Sequence, residues 1–347
     1  MYLKKILLAV VLLGLLIAGG AAYFIYNALF TANTSFNEEE VILYVPTGSS
    51  FLQVREKISP YLKNPGSFEA VAKRKKYVDY IKPGRYRIAR GMNNNEIINS
   101  LRSKNLPVRV SFNNQETLAD LAGRISTQIE ADSLSLLAAF RDETFLSENG
   151  FNSHTQLVPY LPNTYEFFWN TSAKDFRDKM FREYQKYWTG ERIKKAENMG
   201  LNPVEVISLA SIVQKETAKV DERKRVAGVY LNRLKRGMPL QADPTVIYAI
   251  KRESGNYDTV IKRVLYRDLK LDSPYNTYQY KGIPPGPITM PDISSIEAVL
   301  NPEKHNYYYF VADVENFGYH IFAENLIQHN RNKAQYIRWI NQQNVNR

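Results

Sequence analysis

Apolar positions keep helical spacing most persistently between Asn202 and about Pro244, in NPVEVISLASIVQKETAKVDERKRVAGVYLNRLKRGMPLQADP. Asn202 followed by Pro203 reads as an N-cap and first-turn proline, with Glu205 three residues after the cap. At the helical advance of about 100° per residue, Val206, Leu209, Val213 and Val220 share one stripe. Glu216 falls on the shoulder of that stripe, while Lys215, Lys219 and Glu222 project to the other side, toward water. A second helix is predicted from about Asp221 to Arg236, with Val226, Tyr230 and Leu234 in register. Arg233, Lys235 and Arg236 occupy its last turn, and Gly237 and Pro239 stop it. Asp243 stands where it can cap a further helix opening at Pro244.

Upstream, residues 6–30 carry no charge and are long enough to cross a bilayer, which takes about 20 apolar residues. Lys4 and Lys5 precede this run and Glu38, Glu39 and Glu40 follow it, so the expected orientation leaves the N-terminus cytoplasmic and the rest exported. The run exceeds a signal-peptide core of about 7–15 residues, which favours an uncleaved single-pass anchor in the cytoplasmic membrane. Residues 31–40 read as a polar linker. Val41, Leu43 and Val45 then alternate, Pro46–Gly48 turn, and Phe51, Val54 and Ile58 mark a helix; Val108, Val110, Phe112, Leu118, Leu121 and Ile125 repeat the pattern 67 residues on. A small αβ domain over 41–105 follows. Residues 126–200 read as mainly helical, interrupted by Leu157–Trp169, whose five aromatics and two prolines suit either a sugar-stacking face or core closing over a loop. Residues 306–314 and 319–322 read as two strands joined by a turn, and an amphipathic helix begins near Glu324. The fold class is α+β: an anchor (1–30), a linker (31–40), the small domain (41–105) and a mainly helical domain with a short hairpin (106–347).

Composition narrows the chemistry. Cysteine is absent and the four histidines show no metal-binding spacing, so no metal and no thiolate chemistry is expected. No phosphate-binding or dinucleotide glycine pattern occurs, and an exported chain meets little free nucleotide, so no cofactor is expected. The formal net charge of +11 suits an anionic surface or a carboxylate-rich substrate; without a nucleic-acid-binding signature, nucleic acid is not an expected partner.

Glu216 is the candidate for chemistry. Walled by hydrocarbon, its carboxyl would be pushed up in pKa, as a proton donor at neutral pH requires. A glutamate at the edge of a core helix, ion-paired to a neighbouring Lys or Arg, fits the same spacing. Downstream, Tyr275–Tyr278 and Gly282–Ile288 are rich in amide, hydroxyl and ring and stiffened by proline, which suits an extended uncharged ligand such as a glycan.

LASIVQKET (209–217), VYLNRL (229–234), LQADPTVIYAI (240–250), YNTY (275–278), GIPPGPI (282–288) and YYYFVAD (307–313), in this order behind one anchor, resemble the YceG-like family. The resemblance implies a LysM-like subdomain ahead of the catalytic domain and lytic transglycosylase activity within nascent peptidoglycan strands. It identifies Glu216 with the family's catalytic glutamate. Gln214 stands where members often carry Glu, and Asn163 where they carry Asp. Gln241, Tyr275, Asn276 and Thr277 are candidates for holding the glycan, joined by Asp243, Thr245 and Tyr278 and by Pro285 and Gly286. Peptidoglycan strands are the implied partner, with peptidoglycan synthases as candidate protein partners. Two alternatives stay open: a hydrolase using Asp243 as second carboxylate, and a non-catalytic glycan-binding scaffold.

Overall fold

The computed structural model describes residues 2–342. Met1 and residues 343–347, the ends of the expected anchor and catalytic domain, lie outside the described residues. The chain divides into two compact units, Met1–Val110 with Gln128–Ala131 and Glu166–Ser172, and Ser111–Thr127 with Asp132–Tyr165 and Ala173–Arg347.

The first unit begins with α1 (Tyr2–Phe30), a helix long and apolar enough to cross a membrane and without a buried residue. Its last turn is fastened to the unit. Ala28 and Leu29 pack against the core, and Asn94 Nδ2 donates to the Ala28 carbonyl at 2.8 Å. The segment read as a linker is held as well: Asn33 and Thr34 are buried, Asn33 Nδ2 donates to Asn94 Oδ1 at 2.7 Å, and the Gly91 amide donates to Thr34 Oγ1 at 2.7 Å. Strands β1 (Glu40–Val45) and β2 (Gly84–Ala89) pair antiparallel, with Leu43 opposite Tyr86 and Val41 opposite Ile88. Side chains alternate across a strand, so Leu43 and Val45 turn inward with Tyr86 and Ile88. Helices α2 (Phe51–Ile58), α3 (Pro65–Arg74) and α4 (Asn94–Ser103) supply Val54, Ile58, Phe68, Ile97 and Leu101 to the same core.

The strand–turn–helix pattern recurs as β3 (Pro107–Phe112) and α5 (Leu118–Ser126). Like α2, α5 opens with a reciprocal cap, Thr117 with Asp120 against Ser50 with Gln53. Then follow α6 (Ser133–Phe140), α7 (Glu143–Glu148), β4 (Asn163–Phe168) beside β3, α8 (Ala173–Tyr187) and α9 (Gly190–Asn198). Of the two uses open to the aromatic stretch 157–169, packing dominates. Leu157, Val158, Tyr160, Leu161 and Phe167 are buried, and Tyr160 lies 4.8 Å from the Phe140 ring.

The second unit is built round α10 (Pro203–Glu216), which opens with the predicted cap: Asn202 accepts from the Glu205 amide and Glu205 from that of Asn202. Every residue from Val206 to Val213 is buried. A helix apolar on all sides is a core helix rather than a surface one, and α10 packs against α9, α11 (Arg223–Lys235), α12 (Asp243–Ser254) and α13 (Ile293–Leu300). Its end differs from the sequence expectation. Thr217 turns to extended backbone, so Val220 falls off the stripe and is 58% exposed. Glu222, expected in water, is 4% exposed, because the chain turns back before it and delivers it to the start of α11. The hairpin β5 (Tyr309–Ala312) and β6 (His320–Ala323) pairs Phe310 with Phe322, and α14 (Leu326–Gln342) packs on it. The result is a mainly helical α+β chain with three small antiparallel or two-stranded sheets among the described residues.

Candidate functional site

Glu216 is the last residue of α10. The core grips the helix along its length, so the carboxyl is delivered to a fixed point where the backbone leaves the helix. It forms one wall of a cavity of about 320 Å³. The alternative reading, an ion pair to a neighbouring Lys or Arg, is not what the described residues make: Lys215 turns to Glu116, which also accepts from Lys251 at 2.8 Å. Instead Tyr230, from the middle of α11, donates its hydroxyl to Glu216 Oε1 at 2.6 Å. Burial pushes the Glu216 carboxyl up to about 7; the Tyr230 hydroxyl, His320 and Arg233 oppose this, and Asp243 adds to it. At neutral pH a substantial fraction therefore holds a proton.

The opposite rim is formed by Leu240, Gln241 and Asp243. Asp243 is not a cap. Helix α12 already begins at Asp243, its N-cap is Ala242, and Thr245 Oγ1 donates to the Ala242 carbonyl. The Asp243 carboxylate turns to the cavity, where Tyr278 donates its hydroxyl to Oδ1 at 2.5 Å. Gln241 has a left-handed backbone, φ 52°, and its amide donates to the Thr277 carbonyl at 3.1 Å. A non-glycine residue held there costs about 1 kcal/mol or more and persists only where its surroundings dictate it.

Gln241, Asp243 and Tyr278 thus meet Glu216 in one cavity. Thr245, Asn276 and Thr277 lie behind that rim, fully enclosed. Thr277 Oγ1 accepts from the Ala242 amide and lies 2.8 Å from Thr245 Oγ1, while Asn276 Nδ2 donates to the Leu269 and Leu271 carbonyls. Tyr275 is buried against Tyr248 and His154. Gly286 is pressed on the His154 carbonyl so closely that a Cβ would lie 1.9 Å from its oxygen, and Pro285 beside it is exposed. None of these last residues lines the cavity. Gln214 faces the other way, accepting from the Asp292 amide and Ser295 Oγ at the start of α13.

Residues not proposed as site residues complete the walls. Arg233, one turn beyond Tyr230, is 8% exposed rather than free at a helix end; it donates to the Tyr308, Pro239 and Leu240 carbonyls, tying α11 to both rims. Tyr309 and Phe310 come from β5, Leu326 and His329 from α14. Behind Phe310, the buried Glu222 accepts from the His320 amide at 2.7 Å and lies 2.8 Å from His320 Nδ1. Burial raises the Glu222 pKa, but the bonds to His320 outweigh it and hold the carboxyl below its ordinary value. The sequence signals for these were the VYLNRL and YYYFVAD strings, which hold Arg233, Tyr309 and Phe310 without saying where they face. A larger cavity, about 820 Å³, lies on another side of α11 against Gly228, Leu231 and Lys235 and contains none of the candidate groups.

A carboxyl with its pKa raised to about 7, fixed at the end of a core helix among tyrosine hydroxyls and beside a second carboxylate, is an arrangement able to give up and take back a proton near neutral pH, set in a mainly helical α+β protein. The chain belongs to the YceG-like family, whose model matches residues 43–335. It is 31% identical over 342 residues to the endolytic murein transglycosylase of Bacillus subtilis, covering 93% of this chain and 91% of that one. A Streptococcus pneumoniae protein of the same name is 29% identical over 365 residues, covering 94% of this chain and 64% of that one. A crystal structure of a YceG-like protein from Listeria monocytogenes is similar at 28% identity with a TM-score of 0.55, covering 85% of this chain and 99% of that one.

Proposed function

We propose that this chain is a membrane-anchored lytic transglycosylase that cuts peptidoglycan strands internally, with Glu216 as its single acid and base. The observation that carries the reading is the Glu216 carboxyl, its pKa raised to about 7, on the wall of a cavity of about 320 Å³. The relatives named as murein transglycosylases support the substrate class. In the proposed cycle Glu216 gives its proton to the oxygen joining MurNAc C1 to GlcNAc, and the C1–O bond breaks. The carboxylate then takes the proton from the MurNAc C6 hydroxyl as that oxygen bonds to C1. Glu216 ends protonated, no water is consumed, and the strand ends in 1,6-anhydro-MurNAc. Because the attacking hydroxyl belongs to the same sugar, the cost of recruiting a second reactant is avoided. Tyr230 holds the acid in place, and Gln241, Asp243 and Tyr278 face the strand. We further propose that α1 spans the cytoplasmic membrane with the N-terminus inside, that residues 41–105 act as a LysM-like glycan-binding subdomain, and that peptidoglycan synthases supply the strands.

Digestion of purified glycan strands by the full chain in detergent, read by mass spectrometry, tests the reaction. Anhydro ends are expected, lost in Glu216→Gln. Products one water heavier mean a hydrolase, and strand binding without products means a scaffold.

A further inference from the structure

Around the proposed cavity, three side-chain donors are already engaged. The Tyr230 hydroxyl is given to Glu216, the Tyr278 hydroxyl to Asp243, and the Arg233 guanidinium to three backbone carbonyls. His329 differs. Its ring stacks on Tyr309 at 5.2 Å and 24°, its Nδ1 is buried without a hydrogen-bond partner, and the cavity is open to the residue. A buried acceptor lacking a donor is tolerated better than a buried N–H lacking an acceptor. That preference leaves the bare lone pair on Nδ1 and the proton on Nε2, the nitrogen not enclosed by the fold. Arg233 and Lys333 both stand near enough to disfavour a charged imidazole, as does burial itself. The ring is therefore a neutral donor, suited to an uncharged oxygen rather than a carboxylate or phosphate. On an amino-sugar polymer, the strongest uncharged acceptor is the carbonyl oxygen of the acetamido group. Tyr309, which also carries Arg233 at 5.2 Å over its ring, backs one face of the imidazole.

We infer that His329 is a substrate-binding residue that donates from Nε2 to the acetamido carbonyl of a sugar in the cavity, so that the site selects N-acetylated strands. This rests on the glycan-cleaving reading of the same cavity. A site built round a donor discriminates against a ligand lacking the matching acceptor.

The test uses the full chain in detergent and uncross-linked glycan strands, intact or chemically de-N-acetylated. Binding is measured in a Glu216→Gln background, turnover in the active protein. With intact strands, adding His329→Ala is expected to weaken binding about tenfold, the scale of one hydrogen bond to a neutral group, while His329→Gln, which keeps an N–H donor, recovers most of it. In the active protein KM rises by a similar factor with kcat little changed. With de-N-acetylated strands the parent protein binds weakly and His329→Ala causes no further loss, the non-additivity expected of directly interacting groups. Equal losses on both strand types, or none on either, overturn the inference. If intact strands bind and respond to His329 as described but no variant yields anhydro ends, the lytic reaction fails and the binding role stands. If intact strands do not bind at all, both fall.

Discussion

The Glu216 carboxyl links folding to proton transfer. Its pKa is raised from 4.5 to about 7 in the folded chain, so between those values the folded state binds more protons than the unfolded one. Stability is therefore expected to fall as pH rises through this window. Glu216→Gln removes the penalty, and chemical denaturation at pH 8 should find the variant more stable by up to about 3 kcal/mol, with little difference at pH 4. The neighbours give a second prediction with opposed signs. Tyr230 lowers the Glu216 pKa and Asp243 raises it. Tyr230→Phe should move the alkaline limb of the kcat/KM profile upward and Asp243→Asn should move it downward. Limbs moving together would refute the assignment of that limb to Glu216. At Gln241, glycine adopts φ 52° without strain, so Gln241→Gly should stabilise the fold by about 1 kcal/mol in denaturant while weakening strand binding.

Among the elements, α10 was legible because its cap and its apolar positions are local. Asn202 and Glu205 bond reciprocally as read. Its end was not legible, because Val220 continues the spacing while the backbone has already left the helix at Thr217. The same shift hid Glu222, which looked like a solvated face and instead anchors the hairpin through His320. Replacing that carboxylate by an amide leaves one acceptor oxygen where the His320 amide and ring use two, and removes the charge. Glu222→Gln should cost about 2–4 kcal/mol, with amide exchange in β5 and β6 accelerating before that in α10. The loop residues Asn276 and Thr277 have the chemistry of glycan binders, but their donors and acceptors are taken up by backbone groups behind the rim. Polar composition alone cannot say which side of a loop the amides face. The place of Tyr309, though it lies in the YYYFVAD string, and of His329 was hidden for another reason: they lie about a hundred residues from Glu216, and only the packing of the hairpin and α14 brings them to it.

At the scale of the whole molecule, membership of the YceG-like family accounts for the order of the motifs over 43–335, whereas the attachment of α1 is visible only in three dimensions. Ala28 and Leu29 pack against the first unit's core, and the Ala28 carbonyl accepts from the buried Asn94. A chain beginning before Asn27 should keep the melting temperature of the full protein. One beginning at Thr31 loses those contacts and should melt several degrees lower, equivalent to about 1–2 kcal/mol. Equal melting curves would show that the contact contributes nothing to the fold.

That attachment has a mechanical outcome. A hydrophobic rod joined to a globular head by a loose tether leaves the head free to swivel, whatever the slant of the rod. Here the last helical turn is locked into the head through Asn94, and the following residues are laced to it by Asn33 and Thr34. With α1 in a bilayer as proposed, thinner lipid would make the overlong rod lean, and the first unit would have to lean with it.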